Sequence, residues 1–158
     1  MFYPKQIYKL KIEKMNLQDC TRFANENPMC FLATSDGDQA HVRTVMLMFA
    51  EESGFYFETF PNKEMAKQMH QNPKVELCFY NHAQDMMESK QLRIKGNVEF
   101  DNDPATIDRV YEKIKVLEPI AGGPFKEMIE VYKLPHGDAH FWTMNDVGKE
   151  DSLEHLNF

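Results

Sequence analysis

Arg43 lies inside an otherwise apolar and β-branched run from His41 to Phe49, and Lys63 opens a short helical segment. A cation in a first helical turn faces the positive end of the backbone dipole, a placement that costs about 0.3–1 kcal/mol. Neither position is what local preference favours. An anion would account for both. A helix start carries unpaired N–H groups that bind phosphate, and a guanidinium donates two parallel hydrogen bonds to one. Thr59, at the end of the preceding strand, adds a hydroxyl. The plainer reading makes Lys63 a surface residue beside Glu64 and Arg43 an edge-strand residue in a solvent ion pair. Local rules leave both open.

Other chemistry is thinner. His136 and His140 are four apart, but Pro135, Gly137 and a following strand argue against one helix face offering both to zinc. His41 or His70 are candidate axial ligands for a haem, against the plainer reading of surface histidines. No Ser-His-Asp set, Walker loop or G-x-G-x-x-G occurs, and the 11 methionines suit adaptable packing better than copper. Cys20, Cys30 and Cys78 are odd in number with no C-x-x-C spacing, so neither a disulfide framework nor a thiolate metal site is expected. Cys30 and Cys78 sit in apolar runs and read as small buried hydrophobes.

These residues belong to a chain of 158 residues with a formal charge of −7, which fits one domain spanning 1–158. The acidic balance speaks against nucleic acid as a partner. No run of 18 apolar residues occurs, so no membrane span is expected. Met1 to Lys14 lacks the apolar stretch of a signal peptide. A cytoplasmic protein is the expectation.

The elements that must position the chemistry follow in order. Asn16 caps a helix to about Glu26. Cys30–Thr34 and His41–Phe49 form a hairpin across Ser35-Asp36-Gly37-Asp38. Phe55–Thr59 is an aromatic strand, Lys63–His70 a helix and Val75–Tyr80 a strand. Asn81–Lys90 reads as a loop. Leu92–Phe100 alternates cleanly, the pattern of an antiparallel strand with one face on a core. Pro104 starts a helix to about Leu117. Phe125, Met128, Ile129 and Tyr132 suggest a further short helix, and Ala139–Met144 a last strand with Trp142. The acidic tail from Asp146 reads as a flexible end. The fold class is α+β, an antiparallel split β-barrel of about six strands with flanking helices.

Cys30-Phe31-Leu32-Ala33-Thr34, Asp36-Gly37 and His41-Val42-Arg43-Thr44-Val45 resemble the first hairpin of the pyridoxamine 5′-phosphate oxidase-like, FMN-binding split-barrel family. The resemblance runs on through Phe55–Thr59, Lys63, Gln71–Glu76 and Gln91–Gly96, and reaches Phe141-Trp142. It implies a homodimer with FMN at the subunit interface. Arg43, Thr59 and Lys63 would hold the phosphate. Thr44, Val45 and Met46 would pass the ring edge with backbone groups. Gln91 and Trp142 would approach the ring, Trp142 from either subunit; the plainer readings are a solvated strand residue and an interface aromatic.

Departures from the family pattern narrow the activity. Met48 stands where true oxidases carry a lysine for the substrate's phosphate. Thr143-Met144-Asn145-Asp146 replaces their Arg and His cluster, and Glu64-Met65 replaces a basic pair. A pocket without these cations should bind a second phosphate poorly, so oxidation of vitamin B6 phosphates is not expected. The expected function is an FMN-dependent oxidoreductase with a small-molecule substrate, no side chain being nominated as acid or base. The alternatives are a non-catalytic flavin- or haem-binding module of the same fold and an interaction protein with an empty pocket.

Overall fold

Helix α1 (Leu17–Glu26) starts at Asn16, whose side chain accepts from the Asp19 amide while Asp19 accepts from the Asn16 amide. Such reciprocal caps are worth about 1 kcal/mol. The computed structural model describes residues 14–158; the reading of the first residues as lacking a signal peptide lies almost wholly outside them. After α1 the chain runs β1 (Met29–Asp36), β2 (Gln39–Met46), β3 (Phe49–Glu51), β4 (Gly54–Thr59), α2 (Glu64–Gln71), β5 (Lys74–Tyr80), β6 (Lys90–Asn97) and β7 (Glu99–Asp101). It continues through α3 (Pro104–Ile114), α4 (Glu118–Ala121), β8 (Glu130–Leu134), β9 (Gly137–Thr143) and β10 (Leu156–Asn157).

The strands form two antiparallel sheets, ordered β10-β9-β6-β5-β1-β2 and β3-β4-β8-β7. The expected α+β class holds, with ten strands among the described residues where about six are expected. Among the described residues the sheets remain open at their edges and do not close a barrel. Two of the four additional strands, β3 and β7, have a local cause. His41–Phe49 and Leu92–Phe100 each read as one strand, yet each serves both sheets. The first breaks at Leu47-Met48, two consecutive buried residues where alternation lapses. The second breaks at Val98, whose amide turns to the Pro73 carbonyl at 2.9 Å.

The helix expected around Phe125–Tyr132 is a single 3₁₀ turn, Lys126–Met128, leading into β8. Four residues at helical spacing are outweighed here by a ladder with β4, in which Tyr132 opposes Phe57 and stacks on it at 5.3 Å. Where the sequence suggests flexibility, a 3₁₀ turn ends at Asp146, a second spans Glu150–Ser152, and β10 then pairs with β9.

The main core lies between the sheets, with Leu32, Phe55, Phe57, Leu77, Phe79, Leu92, Ile94 and Tyr132 at or near zero exposure. A second core joins α3 to the outer face of the smaller sheet through Tyr56, Val110, Tyr111, Ile114 and Val131. The outer face of β1 and β2 is uncovered: Met29, Phe31, Val42 and Met46 are 41–71% exposed.

Candidate functional site

Arg43 lies on β2 on the side that faces α2. Its Nη1 donates to Thr34 Oγ1 at 2.6 Å and its Nη2 to Gln68 Oε1 at 3.0 Å, while Thr34 donates to the same Gln68 oxygen at 2.6 Å. Thr34 and Gln68 are both nearly inaccessible, so the guanidinium is clamped at its base. Three of its five N–H donors remain. Arg22, Arg93 and Arg109 each pair with a carboxylate, whereas among the described residues no carboxylate lies within 4.0 Å of Arg43. Burial pulls the guanidinium below the usual arginine range, with Tyr132 and Glu64 opposing that pull.

Lys63 is the N-cap of α2 and is exposed; its side chain does not cap, so the first amides of the helix have no side-chain partner from it. Its Nζ lies 5.3 Å from the Phe60 ring centre. Thr59, at the end of β4, is fully buried, and its hydroxyl has no hydrogen-bond partner among the described residues; the same holds for the Tyr132 hydroxyl on the same face of the sheet. Such groups each cost roughly 1–3 kcal/mol when left unmade. Glu58 faces the other side of β4 with one carboxylate oxygen also unpartnered; burial pushes this carboxyl up while Lys63 pulls it down.

A phosphate is an acceptor, and this corner offers donors: the guanidinium, an ammonium, first-turn amides and O–H groups lacking acceptors. The donor set fits a phosphate, with Glu64 in the first turn of α2 as a contrary charge.

The remaining expected residues divide between two places. Thr44 and Met46 are exposed on the outer face of β2, and Val45 is half-buried on the opposite side. Among the described residues β2 is an edge strand, so alternate backbone groups along Thr44–Met46 have no ladder partner there. Gln91 on β6 and Trp142 on β9 oppose each other in register. They line a cavity of about 470 Å³ with Arg93, His140, Glu150 and His155. Within one chain, β6 stands three strand spacings from β2, roughly 14 Å. The fold therefore joins Arg43 to the α2 corner, and Gln91 to Trp142, but keeps the two groups apart.

The sequence reading missed Thr34 and Gln68. Both had a signal, a polar residue on an apolar face: Thr34 follows Cys30 and Leu32 at alternate positions, and Gln68 shares a side with Met65 and Met69. Met48 is buried and not directed to solvent. Of the haem candidates, His70 stacks on Phe100 at 3.7 Å and bonds to Glu130 at 3.1 Å; His41 lines a smaller cavity with Asp36 and Gln68. His140 lies beside His155 and not with the exposed His136. Cys30 is buried as expected, whereas Cys78 is half-buried on the outer face of the sheet. Burial raises the Cys20 thiol to about 11 and Cys30 further, which leaves both inert. No helix among the described residues is long and apolar enough to cross a membrane.

The profile of the pyridoxamine 5′-phosphate oxidase family matches residues 17–131. Over 68 residues the chain is 37% identical to the pyridoxine/pyridoxamine 5′-phosphate oxidase of Vesicomyosocius okutanii, a match covering 43% of this chain and only 30% of that relative. A NimC/NimA family protein from Clostridium acetobutylicum has a similar structure: TM-score 0.71, 23% identity, 92% of this chain and 95% of that one. An FAD-binding protein from Mesorhizobium loti aligns with TM-score 0.58 at 18% identity over 78% of this chain and 91% of that one. HutZ, a haem storage protein from Vibrio cholerae, aligns with TM-score 0.61 at 16% identity over 82% and 95%. At these identities the structural likenesses show the fold.

Proposed function

The chain belongs to the pyridoxamine 5′-phosphate oxidase family, and on that premise we propose that it is an FMN-binding oxidoreductase acting as a homodimer on a small-molecule substrate. The observation that carries the reading is Arg43, the one arginine of four without a carboxylate partner among the described residues, held in place by Thr34 and Gln68. A clamped, partly desolvated guanidinium is a pre-organised phosphate ligand. Lys63, the first amides of α2 and the Thr59 hydroxyl at the end of β4 would supply further donors.

The edge of β2 at Thr44, Val45 and Met46, unpaired among the described residues, provides backbone groups suited to the polar edge of a flavin ring, and Gln91 and Trp142 provide an amide and an aromatic face. The separation of these two groups within one chain favours a site completed across two copies. So does the uncovered apolar face of Met29, Phe31, Val42 and Met46, which a second copy would bury. Bound flavin supplies hydride or electron transfer; the chain's own residues bind it, orient it and limit its access to water. Met48 and Thr143–Asp146 lack the cations that a phosphorylated B6 vitamer would need, so the substrate is a different small molecule.

Adding FMN to purified protein and separating free from bound flavin tests this. One flavin per subunit, a dimeric mass by light scattering and bleaching of the bound flavin by NADH or NADPH are the expected results. A sample that takes up no flavin, or that shows a Soret band with added haem instead, would overturn it.

A further inference from the structure

β10 folds back antiparallel on β9, with Leu156 opposite Ala139 and Asn157 opposite Asp138. That pairing brings His155 to the edge of β9. Its Nδ1 lies 2.7 Å from Asp138 Oδ1. Asp138 and His140 are alternate residues of β9 and share a face, and the His140 and His155 rings lie 4.7 Å apart between centres. One ligand atom from each of Asp138, His140 and His155 falls within 4.8 Å of the other two. The Nδ1 of His140 is enclosed and has no hydrogen-bond partner among the described residues.

We propose that Asp138, His140 and His155 form a binding site for a divalent transition-metal ion of the zinc class. Two imidazoles and a carboxylate are a ligand set that holds such ions and leaves a further position open. Without a thiolate or thioether the set does not suit Cu(I). Tetrahedral ligands at metal distances of about 2.0–2.2 Å stand roughly 3.3 Å apart. The Asp138–His155 pair needs to open only slightly and the wider separations to close, and His155, on an exposed segment, is free to make that move.

The surroundings are consistent with a cation. Arg93 opposes His140 in register, but its charge is turned to Glu76, with Nε 2.8 Å from the carboxylate. The open position would face the cavity lined by Gln91, Trp142, Glu150 and Leu153. The site shares that cavity with two residues of the flavin reading, but its ligands do not depend on that reading.

Titration of tag-free, chelator-treated protein with Co²⁺, followed by visible ligand-field absorption and calorimetry, tests the site. One equivalent per chain, displaced by Zn²⁺, is expected. H140A and H155A should each abolish the band, D138N should weaken binding by at least the roughly 10–100-fold that loss of an outer-sphere partner costs, and H136A should bind as the parent does. Because His155 is exposed, H155A should keep the parent's melting profile, which separates loss of ligand from loss of fold. Absence of saturable binding, or binding that survives both histidine substitutions, would overturn the proposal. FMN uptake measured on the same samples separates this result from the flavin reading, since cobalt binding without flavin uptake leaves the metal site standing.

Discussion

Replacing Arg43 by alanine should remove the advantage that FMN holds over riboflavin. In the structure the guanidinium spends one bond on Thr34 and one on Gln68, and its remaining N–H groups have no carboxylate to meet. A hydrogen bond to a charged group is worth about 1.5–3 kcal/mol net, and at about 1.4 kcal/mol per decade the loss is about 10–150-fold in FMN affinity. Riboflavin lacks the phosphate, so its affinity should hardly change. The assay is paired: quenching of flavin fluorescence for both ligands, in parent and variant, at low and high salt. The FMN advantage should also shrink with salt in the parent and not in the variant. Arg43→Lys keeps charge but loses the fork, and should fall between. If both ligands weaken equally, Arg43 acts only by holding β1, β2 and α2 together. If neither weakens, the phosphate does not bind at this corner.

Thr59→Val removes a buried hydroxyl without a partner; the apoprotein should gain about 1 kcal/mol in denaturant melts while FMN binds less tightly. Glu58→Gln should raise the melting temperature at pH 7 and have no benefit below pH about 4.3, the ordinary glutamate value. The sign follows from burial: the native carboxyl holds its proton above the unfolded value, so stability falls as pH rises between the two. Gly96→Ala should cost about 1–3 kcal/mol, read by thermal melts, because a Cβ there would meet the His136 carbonyl oxygen at 2.5 Å. Phe31→Lys, at the centre of the uncovered face, should shift a dimer to monomer by light scattering; an unchanged mass would place the contact elsewhere.

What the sequence made legible was mostly local. The Asp36-Gly37 turn with an apolar run on each side specified the β1–β2 hairpin, and Gly37 takes the positive φ of 58° that such a turn asks of it. Asn16 and Pro104 marked the helix starts because caps act within one turn. The passage of two strands from one sheet to the other was written only as a lapse in alternation at Leu47-Met48. The β8 strand was hidden because its partner, β4, lies more than 70 positions away in the chain and no local pattern reports it. At the candidate site, Arg43 stood out as a charge in an apolar run. That Thr34 and Gln68 hold it, and that Gln91 meets Trp142 at a distance from it, depend on registers set by long-range ladders. His155 drew no notice because only the fold-back of β10 brings it to β9.

The two strands that change sheets have a consequence for how the molecule opens. β2 runs directly into β3 and β6 into β7, so neither sheet can detach without breaking covalently continuous ladders in the other. Amide hydrogen exchange should therefore find the central strands of both sheets sharing a single protection plateau, released only by global unfolding. The α3–α4 segment, where Val116, Leu117 and Ile120 already stand open to water, should exchange as a separate, earlier-opening foldon. Local breathing would be confined there and would leave the strands that carry Arg43, Gln91 and Trp142 undisturbed.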